Sequence, residues 1–363
     1  MAVERLPMAK LRAVLFGATG LAGQQFVSAL KEHPWFELAA VAASPRNAGR
    51  RYGEALLEGG WFLSEPTPAA VASLVLADPA SVDFSDFDLV FSAVEADVAR
   101  ELEPRAARAI PVFSTASAFR YERDVPLVLP PVNGGHLGLV RTQRARGFSG
   151  YIAPIPNCTA TGLVVCLAPL VERFGVQAAL LTSLQSVSGA GRSPGVPALD
   201  VVDNVVPFIA KEEGKVEVET RKILGRWLTG QPEVHSHPMR ISATCTRVAV
   251  LEGHTETVSV SLETPATPDE VAAAFREWKG DVTARDLPST PPRWIEVLEA
   301  PDRPQPRLDR DTHGGMATSV GRLRADAVLP NGVKFVLVSH NTKLGAARGA
   351  VLVAELAKSQ GLL

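Results

Sequence analysis

The sequence predicts an α/β protein in two parts: a parallel sheet covered by helices, then an α+β part with a mixed sheet. Two observations carry this. In the first part, short apolar runs alternate with stretches of helical spacing, the pattern of buried strands joined by crossover helices. After about residue 156 the runs change to alternating apolar and polar residues, the pattern of strands with one solvated face. The 363 residues suffice for two or three domains at roughly 150 residues each.

The elements follow in order. "LRAVLF" at 11–16 is a strand, and "LAGQQFVSALKEH" after it is a helix. "FELAAVAAS" at 36–44 is a second strand. "DLVFSAV" and "PVFSTAS" are two more, separated by the helix "ADVARELEPRAARAI" at 96–110. In the second part, "NCTATGLVVCLAPLVERF" reads as a helix and "QAALLTSLQSVS" as a strand. "RISATCTRVAV" and "ETVSVSLE" alternate and are expected to be antiparallel. "TPDEVAAAFREWKG" opens with a capping signal and is a helix. Asp302 to Asp311, rich in proline and charge, is expected to be a loop. "KLGAARGAVLVAEL" is a closing helix. The expected division is residues 1–156 for a nucleotide-type domain and 157–340 for the α+β part. The last segment, 341–363, returns to the first domain.

Composition excludes several function classes. The net charge of −2 gives no electrostatic ground for a nucleic-acid or membrane partner. The three cysteines, Cys158, Cys166 and Cys245, fit neither a disulfide framework nor a metal site, and a reducing compartment is expected. The start "MAVERLPMAK" lacks a signal core. The charge-free stretch Gly147 to Val171 is broken by Pro154, Pro156 and Pro169, and reads as buried protein rather than a span. The expected setting is the cytoplasm.

"GATGLAG" joins the first strand to the first helix. Gly17, Gly20 and Gly23, with Thr19, Leu21 and Ala22 between them, would let the backbone approach a pyrophosphate at a helix N-terminus. The spacing differs from the commoner G-x-G-x-x-G, so its position between strand and helix is the stronger signal. The second strand ends in "AASPRNAGRRYG", without the acid that usually holds a ribose 2′-hydroxyl in NAD sites. Ser44, Arg46, Arg50 and Arg51 could hold a 2′-phosphate instead, which favours NADP.

Cys158 stands where a helix begins. A helix N-terminus favours the thiolate, so Cys158 is expected to outreact the other two cysteines. "SLQSVSGAG" supplies Gln185 and a Ser-Gly-Ala-Gly turn at 188–191. "RVAVLEGHTE" sets Arg247 and His254 seven residues apart, either side of a Glu-Gly turn. A histidine beside a cysteine suits acyl transfer, and an arginine holds a carboxylate bidentately.

"GATGLAG", "PNCTATG", "SVSGAG", "VETRKILG" and "RVAVLEGHTE", with "SAFRYERDVPLVLPPVN", run in order over nearly the whole chain. Together they resemble the aspartate-semialdehyde dehydrogenases, in their archaeal and fungal branch. The resemblance implies a Rossmann-type NADP-binding domain and an α+β catalytic and dimerisation domain, in a homodimer or homotetramer. It implies reduction of L-aspartyl 4-phosphate by NADPH, with phosphate release. Cys158 would form a thioester, His254 would be acid and base, and Gln185 would orient the intermediate. Arg247 would hold the substrate carboxylate and Glu219 its amino group, with Lys222 and Arg120 on the phosphate. Ser188, Gly189, Asn133 and Asn341 would line the cofactor. Thr159, Ala160, Thr115 and Pro131 depart from the family pattern. Malonyl-CoA reductase and N-acetyl-glutamyl-phosphate reductase are alternatives of the same superfamily. A non-enzymatic NADPH sensor is a third.

Overall fold

The computed structural model describes residues 9–191 and 198–363. The start of the chain, read above as lacking a signal core, lies outside the described residues apart from Ala9 and Lys10.

The first sheet has six parallel strands: β1 Leu11–Phe16, β2 Phe36–Ala42, β3 Leu76–Ala77, β4 Leu89–Ser92, β5 Val112–Ser114 and β6 Ile152–Pro154. Their order, β3-β2-β1-β4-β5-β6, is the doubly wound arrangement expected from the sequence. Every side chain of β4 and β5 is buried, because helices cover both faces. Three helices matter here: α1 Leu21–Leu30, α2 Tyr52–Gly59 and α3 Ala96–Ala107.

The chain then enters α4, Cys158–Phe174, and a second sheet: β7 Val176–Gln185, β8 Arg240–Arg247, β9 His254–Leu262, β10 Ile295–Val297, β11 Thr318–Asp326 and β12 Gly332–Ser339. Their order is β10-β11-β12-β9-β7-β8. Helices α5 Glu212–Ile223 and α6 Pro268–Glu277 join α4 on this part, and α6 carries the expected capping box between Thr267 and Glu270. The closing helix α7, Ala347–Ser359, packs on α1 and β5.

Three expectations change. β8 and β9 are not an antiparallel pair: β7 lies between them, parallel to β8 and antiparallel to β9. Alternation reports a solvated face, not a direction, and the long connection through α5 permits the parallel return. The 302–311 segment contains a helical turn at Pro306–Asp309. The last helix starts at Ala347 rather than Lys343, because residues 340–346 form a turn in which Gly345 N–H bonds to the His340 carbonyl. Among the described residues, no helix is long and apolar enough to cross a membrane. Nor does any group of three or more His, Cys, Asp or Glu side chains there suit a metal.

Candidate active site

The topology brings distant residues to one edge of the second sheet. Gln185 ends β7 and Arg247 ends β8, in direct register. β9 runs the other way, so its first residue, His254, lies at the same edge, opposite Ser339 at the end of β12. Asn341 follows two residues later. The first sheet contributes its carboxyl edge, with the glycine loop after β1 and Thr115 after β5. Between them lies a cleft of about 670 Å³, lined by Gly20–Ala22, Thr115, Arg120, Cys158, Ser188–Gly191, Glu212, Lys215 and Asn341.

Cys158 is the first residue of α4. Asn157 caps the helix, its Oδ1 accepting the amides of Thr159 at 2.9 Å and Ala160 at 3.1 Å. The Cys158 sulfur lies 3.2 Å from His254 Nε2. The expected low pKa is not found. Burial pushes the Cys158 thiol up to about 12, with Glu212 adding to the rise and Arg120 and Arg247 opposing it. Desolvation here outweighs the helix terminus. Burial likewise pulls His254 down to about 3, helped by Arg247 and His340, so the imidazole is neutral.

Arg247 donates through Nη1 to the Ser186 carbonyl at 2.7 Å. Burial lowers its pKa. Gly189 lies against both partners: a Cβ there would sit 2.9 Å from Arg247 Nη1 and from His254 Cε1. Gln185 Nε2 donates to Glu212 Oε1 at 3.3 Å and to Ser183 Oγ at 3.3 Å.

Helix α5 carries two Glu-x-x-Lys pairs on one face, two turns apart. The structure assigns them different places. Glu212 and Lys215, which the sequence reading passed over, line the cleft. Glu212 accepts Asn157 Nδ2 at 2.7 Å and pairs with Lys215 at 3.3 Å. Glu219 and Lys222 lie away from the cleft lining. The fully buried Glu219 carboxylate accepts Arg120 at 3.2 Å, the Tyr121 hydroxyl at 2.9 Å and the Asn157 amide at 2.6 Å. Lys222 donates to the carbonyls of Arg120, Glu122 and Val125 at 2.8, 3.0 and 3.0 Å. These two hold Arg120 and the Asn157 cap of α4 in place, with no donor left facing the cleft. Arg120 itself lines the cleft. Its Nη2 donates to the Thr115 carbonyl at 2.8 Å, and its buried Nε has no partner.

The glycine loop divides similarly. Gly17 has φ +77°, and a Cβ on Gly23 would sit 2.2 Å from the Gly17 carbonyl oxygen, so both permit the tight turn and the close helix. Gly20, Leu21 and Ala22 line the cleft, while Thr19 lends its carbonyl to Gln24. The N-cap of α1 is Gly20, which has no side-chain acceptor, and the first turn has no acid. The helix's leading amides are therefore free for an anion, which suits the pyrophosphate of a dinucleotide. Ser44 and Arg46 are exposed on the loop after β2, the strand beside β1. Arg50 is instead held by Glu58 at 2.8 Å, and Arg51 precedes α2 as an exposed cap. Ser188, Gly189 and Asn341 line the cleft, but Asn133 does not. Asn133 is consumed by its own turn, bonding Leu129 N, the Leu127 carbonyl and His136.

Comparisons with known proteins match both parts of the chain. Residues 12–139 fit the semialdehyde dehydrogenase NAD-binding domain and residues 167–344 the semialdehyde dehydrogenase dimerisation domain. The aspartate-semialdehyde dehydrogenase of Archaeoglobus fulgidus is 46% identical, over 94% of this chain and 96% of its own. The chain belongs to the aspartate-semialdehyde dehydrogenase family. The Saccharomyces cerevisiae family member is 41% identical over 98% of this chain and 99% of its own. The crystal structure of the Candida albicans family member with NADP superposes with a TM-score of 0.88 at 40% identity, covering 97% of this chain and all of that one. The archaeal and fungal resemblance read from the motifs is borne out.

Proposed function

We propose that this chain reduces L-aspartyl 4-phosphate with NADPH to L-aspartate 4-semialdehyde and releases phosphate. The observation that carries the reading is the Cys158–His254 contact of 3.2 Å at the junction of a dinucleotide-type glycine loop and an anion-binding cleft. An acyl phosphate is already activated, so its acceptor enzyme needs a nucleophile and cations rather than a metal. Cys158 is that nucleophile and carries the thioester. Arg120 and Lys215 hold the phosphate, and Arg247 holds the α-carboxylate. Glu212 meets the α-amino group and, with Gln185, orients the acyl group. Glu212 and Lys215 thus replace Glu219 and Lys222 in the roles the motif resemblance suggested.

NADPH, when bound, supplies the hydride. The chain's part is to receive its pyrophosphate at the α1 amides and its 2′-phosphate at Ser44 and Arg46, and to seat the reacting end between Ser188, Gly189 and Asn341. We further propose a division at residues 156/157, with 341–363 completing the first domain. The open face of the second sheet, where Leu180 is 46% exposed, is the proposed homodimer surface. The reaction would serve lysine, threonine, methionine and isoleucine synthesis in the cytoplasm.

The test is the reverse assay with L-aspartate semialdehyde, phosphate and NADP. Phosphate-dependent NADPH formation supports the assignment. Its absence in well-folded protein, with NADPH oxidation on malonyl-CoA instead, moves the chain to the rival chemistry.

A further inference from the structure

Four buried polar side chains on the sheet side of α4 have no hydrogen-bond partner among the described residues. Glu256, on β9, is fully buried, and neither of its carboxyl oxygens is engaged. The hydroxyls of Ser339, Thr318 and Thr159 are buried and unengaged as well. Register places them together. Glu256 pairs with Leu337 and His254 with Ser339, so Glu256 and Ser339 face the same side of the sheet. Ser319 pairs with Val338, which sets Thr318 beside Ser339. Helix α4 covers this side at Gly162. A Cβ there would lie 2.8 Å from Ser339 Cβ and 3.3 Å from Glu256 Oε1. Thr159 precedes Gly162 by three and shares its helix face.

Nothing around Glu256 balances a negative charge. The titratable groups near it are the Cys166 thiol on α4 and the Cys245 thiol on β8, and Glu256 opposes the ionisation of both. β7 brings the Ser183 hydroxyl, its register partner, and β12 brings Ser339. His254, on the same strand, is neutral. Burial raises the Glu256 carboxyl well above the ordinary value, and no arginine or lysine among the described residues counters it. An ionised carboxylate in such a setting costs far more than a protonated one. A neutral acid still carries a donor and acceptors to satisfy, and so do the three hydroxyls. Buried polar groups that lack protein partners are met by internal water, at about three bonds per molecule.

We propose that Glu256 is a neutral, protonated acid and that with Ser339, Thr318 and Thr159 it forms an internal water-binding site under the first turns of α4. A charge on Glu256 would lie against Gly162, one turn along the helix from Cys158, and would oppose the thiolate. The proton removes that charge. The site does not depend on the identity of the substrate.

Infrared difference spectroscopy on the full chain, wild type minus Glu256→Gln, reads the proton directly, because Glu103 is present in both and cancels. The expected difference is the carbonyl stretch of a protonated acid at neutral pH, shifted in D₂O and at the lowered frequency of a hydrogen-bonded carboxyl. In Ser339→Ala the same band should move upward, which identifies it even if Glu256→Gln does not fold. The bands of an ionised carboxylate overturn the proposal. So does the frequency of a free acid that Ser339→Ala leaves unmoved, since that site is dry. A crystal structure that orders internal water should place one at about 2.7–3.2 Å from both Glu256 and Ser339; a cation there beside an ionised Glu256 overturns the assignment. Linkage gives a third reading. The folded chain keeps a proton that the unfolded chain releases above about pH 4.3, so wild type loses stability as pH rises past that value. The melting advantage of Glu256→Gln should therefore grow with pH, and an advantage that stays constant between about pH 5 and 8 would refute the neutral acid.

Discussion

Replacing Lys222 or Lys215 by methionine separates the two Glu-x-x-Lys pairs of α5. Methionine preserves the length of the side chain and removes its ammonium. At Lys222 this deletes three bonds to the carbonyls of Arg120, Glu122 and Val125. A hydrogen bond to a charged group contributes about 1.5–3 kcal/mol. Desolvation offsets much of that gain, since burial pulls the Lys222 ammonium down to about 8. The expected net loss is about 2–4 kcal/mol, a fall in melting temperature of roughly 5–10 °C. Among the described residues Lys215 pairs with Glu212, at 3.3 Å, and its side chain is 28% exposed. Its removal should cost less than about 1 kcal/mol. Kinetics should invert the order. Lys215→Met loses a charge-assisted contact to phosphate of about 1.5–3 kcal/mol, so its KM for phosphate in the reverse assay rises about tenfold to a hundredfold. Thermal melts beside phosphate titrations of both variants read the two effects. Equal melting temperatures, or a phosphate defect confined to Lys222→Met, would refute the assignment of the two turns.

Two further outcomes follow from packing and burial. In Gly345→Ala the new Cβ would meet the Asn341 carbonyl oxygen at 2.8 Å and Cys158 Cβ at 2.9 Å; overpacking of this kind costs about 1–3 kcal/mol, so circular dichroism should be retained while kcat falls, and a wild-type kcat counts against the geometry. Burial raises the Glu103 carboxyl to about 7, against the pull of Ser114, whereas the unfolded value is about 4.3. The folded chain then holds a proton that the unfolded chain has lost, so stability falls as pH rises from about 4.5 through 7. Glu103→Gln cannot ionise, and its melting advantage over wild type should be small at about pH 5 and larger above about pH 8; a pH-independent difference would contradict this.

The first sheet was readable because each strand is an apolar run next to a helix of clear period, and the glycine loop marks the first junction. β3 escaped notice because a run of two residues carries no periodicity. The direction of β8 was unreadable for another reason: a parallel edge strand with one wet face alternates as an antiparallel one does. At the site, the motifs around the helix start at Cys158, the Ser-Gly-Ala-Gly turn and the Glu-Gly turn singled out Cys158, Gln185, Arg247 and His254, and the fold brings them to one cleft. The choice between Glu212 and Glu219 was not available from spacing. Both precede a lysine by three, and the seven-residue step from one to the other is about two helical turns, so only the tertiary position of α5 decides which turn meets the cleft. The thiol's pKa was misjudged because the helix terminus is local and visible in sequence. The burial that overrides it involves residues distant in sequence, among them His254 and Gly345.

The central claim is that Cys158 carries the acyl group. The most direct measurement mixes the enzyme with L-aspartate semialdehyde and NADP in the absence of phosphate. NADPH is followed in the first turnover, and the denatured protein is mapped by mass spectrometry. The account predicts a burst of one NADPH per active site and an aspartyl adduct on the peptide containing Cys158, both absent in Cys158→Ala. A burst with the adduct elsewhere, or a Cys158→Ala variant that still gives it, would contradict the claim.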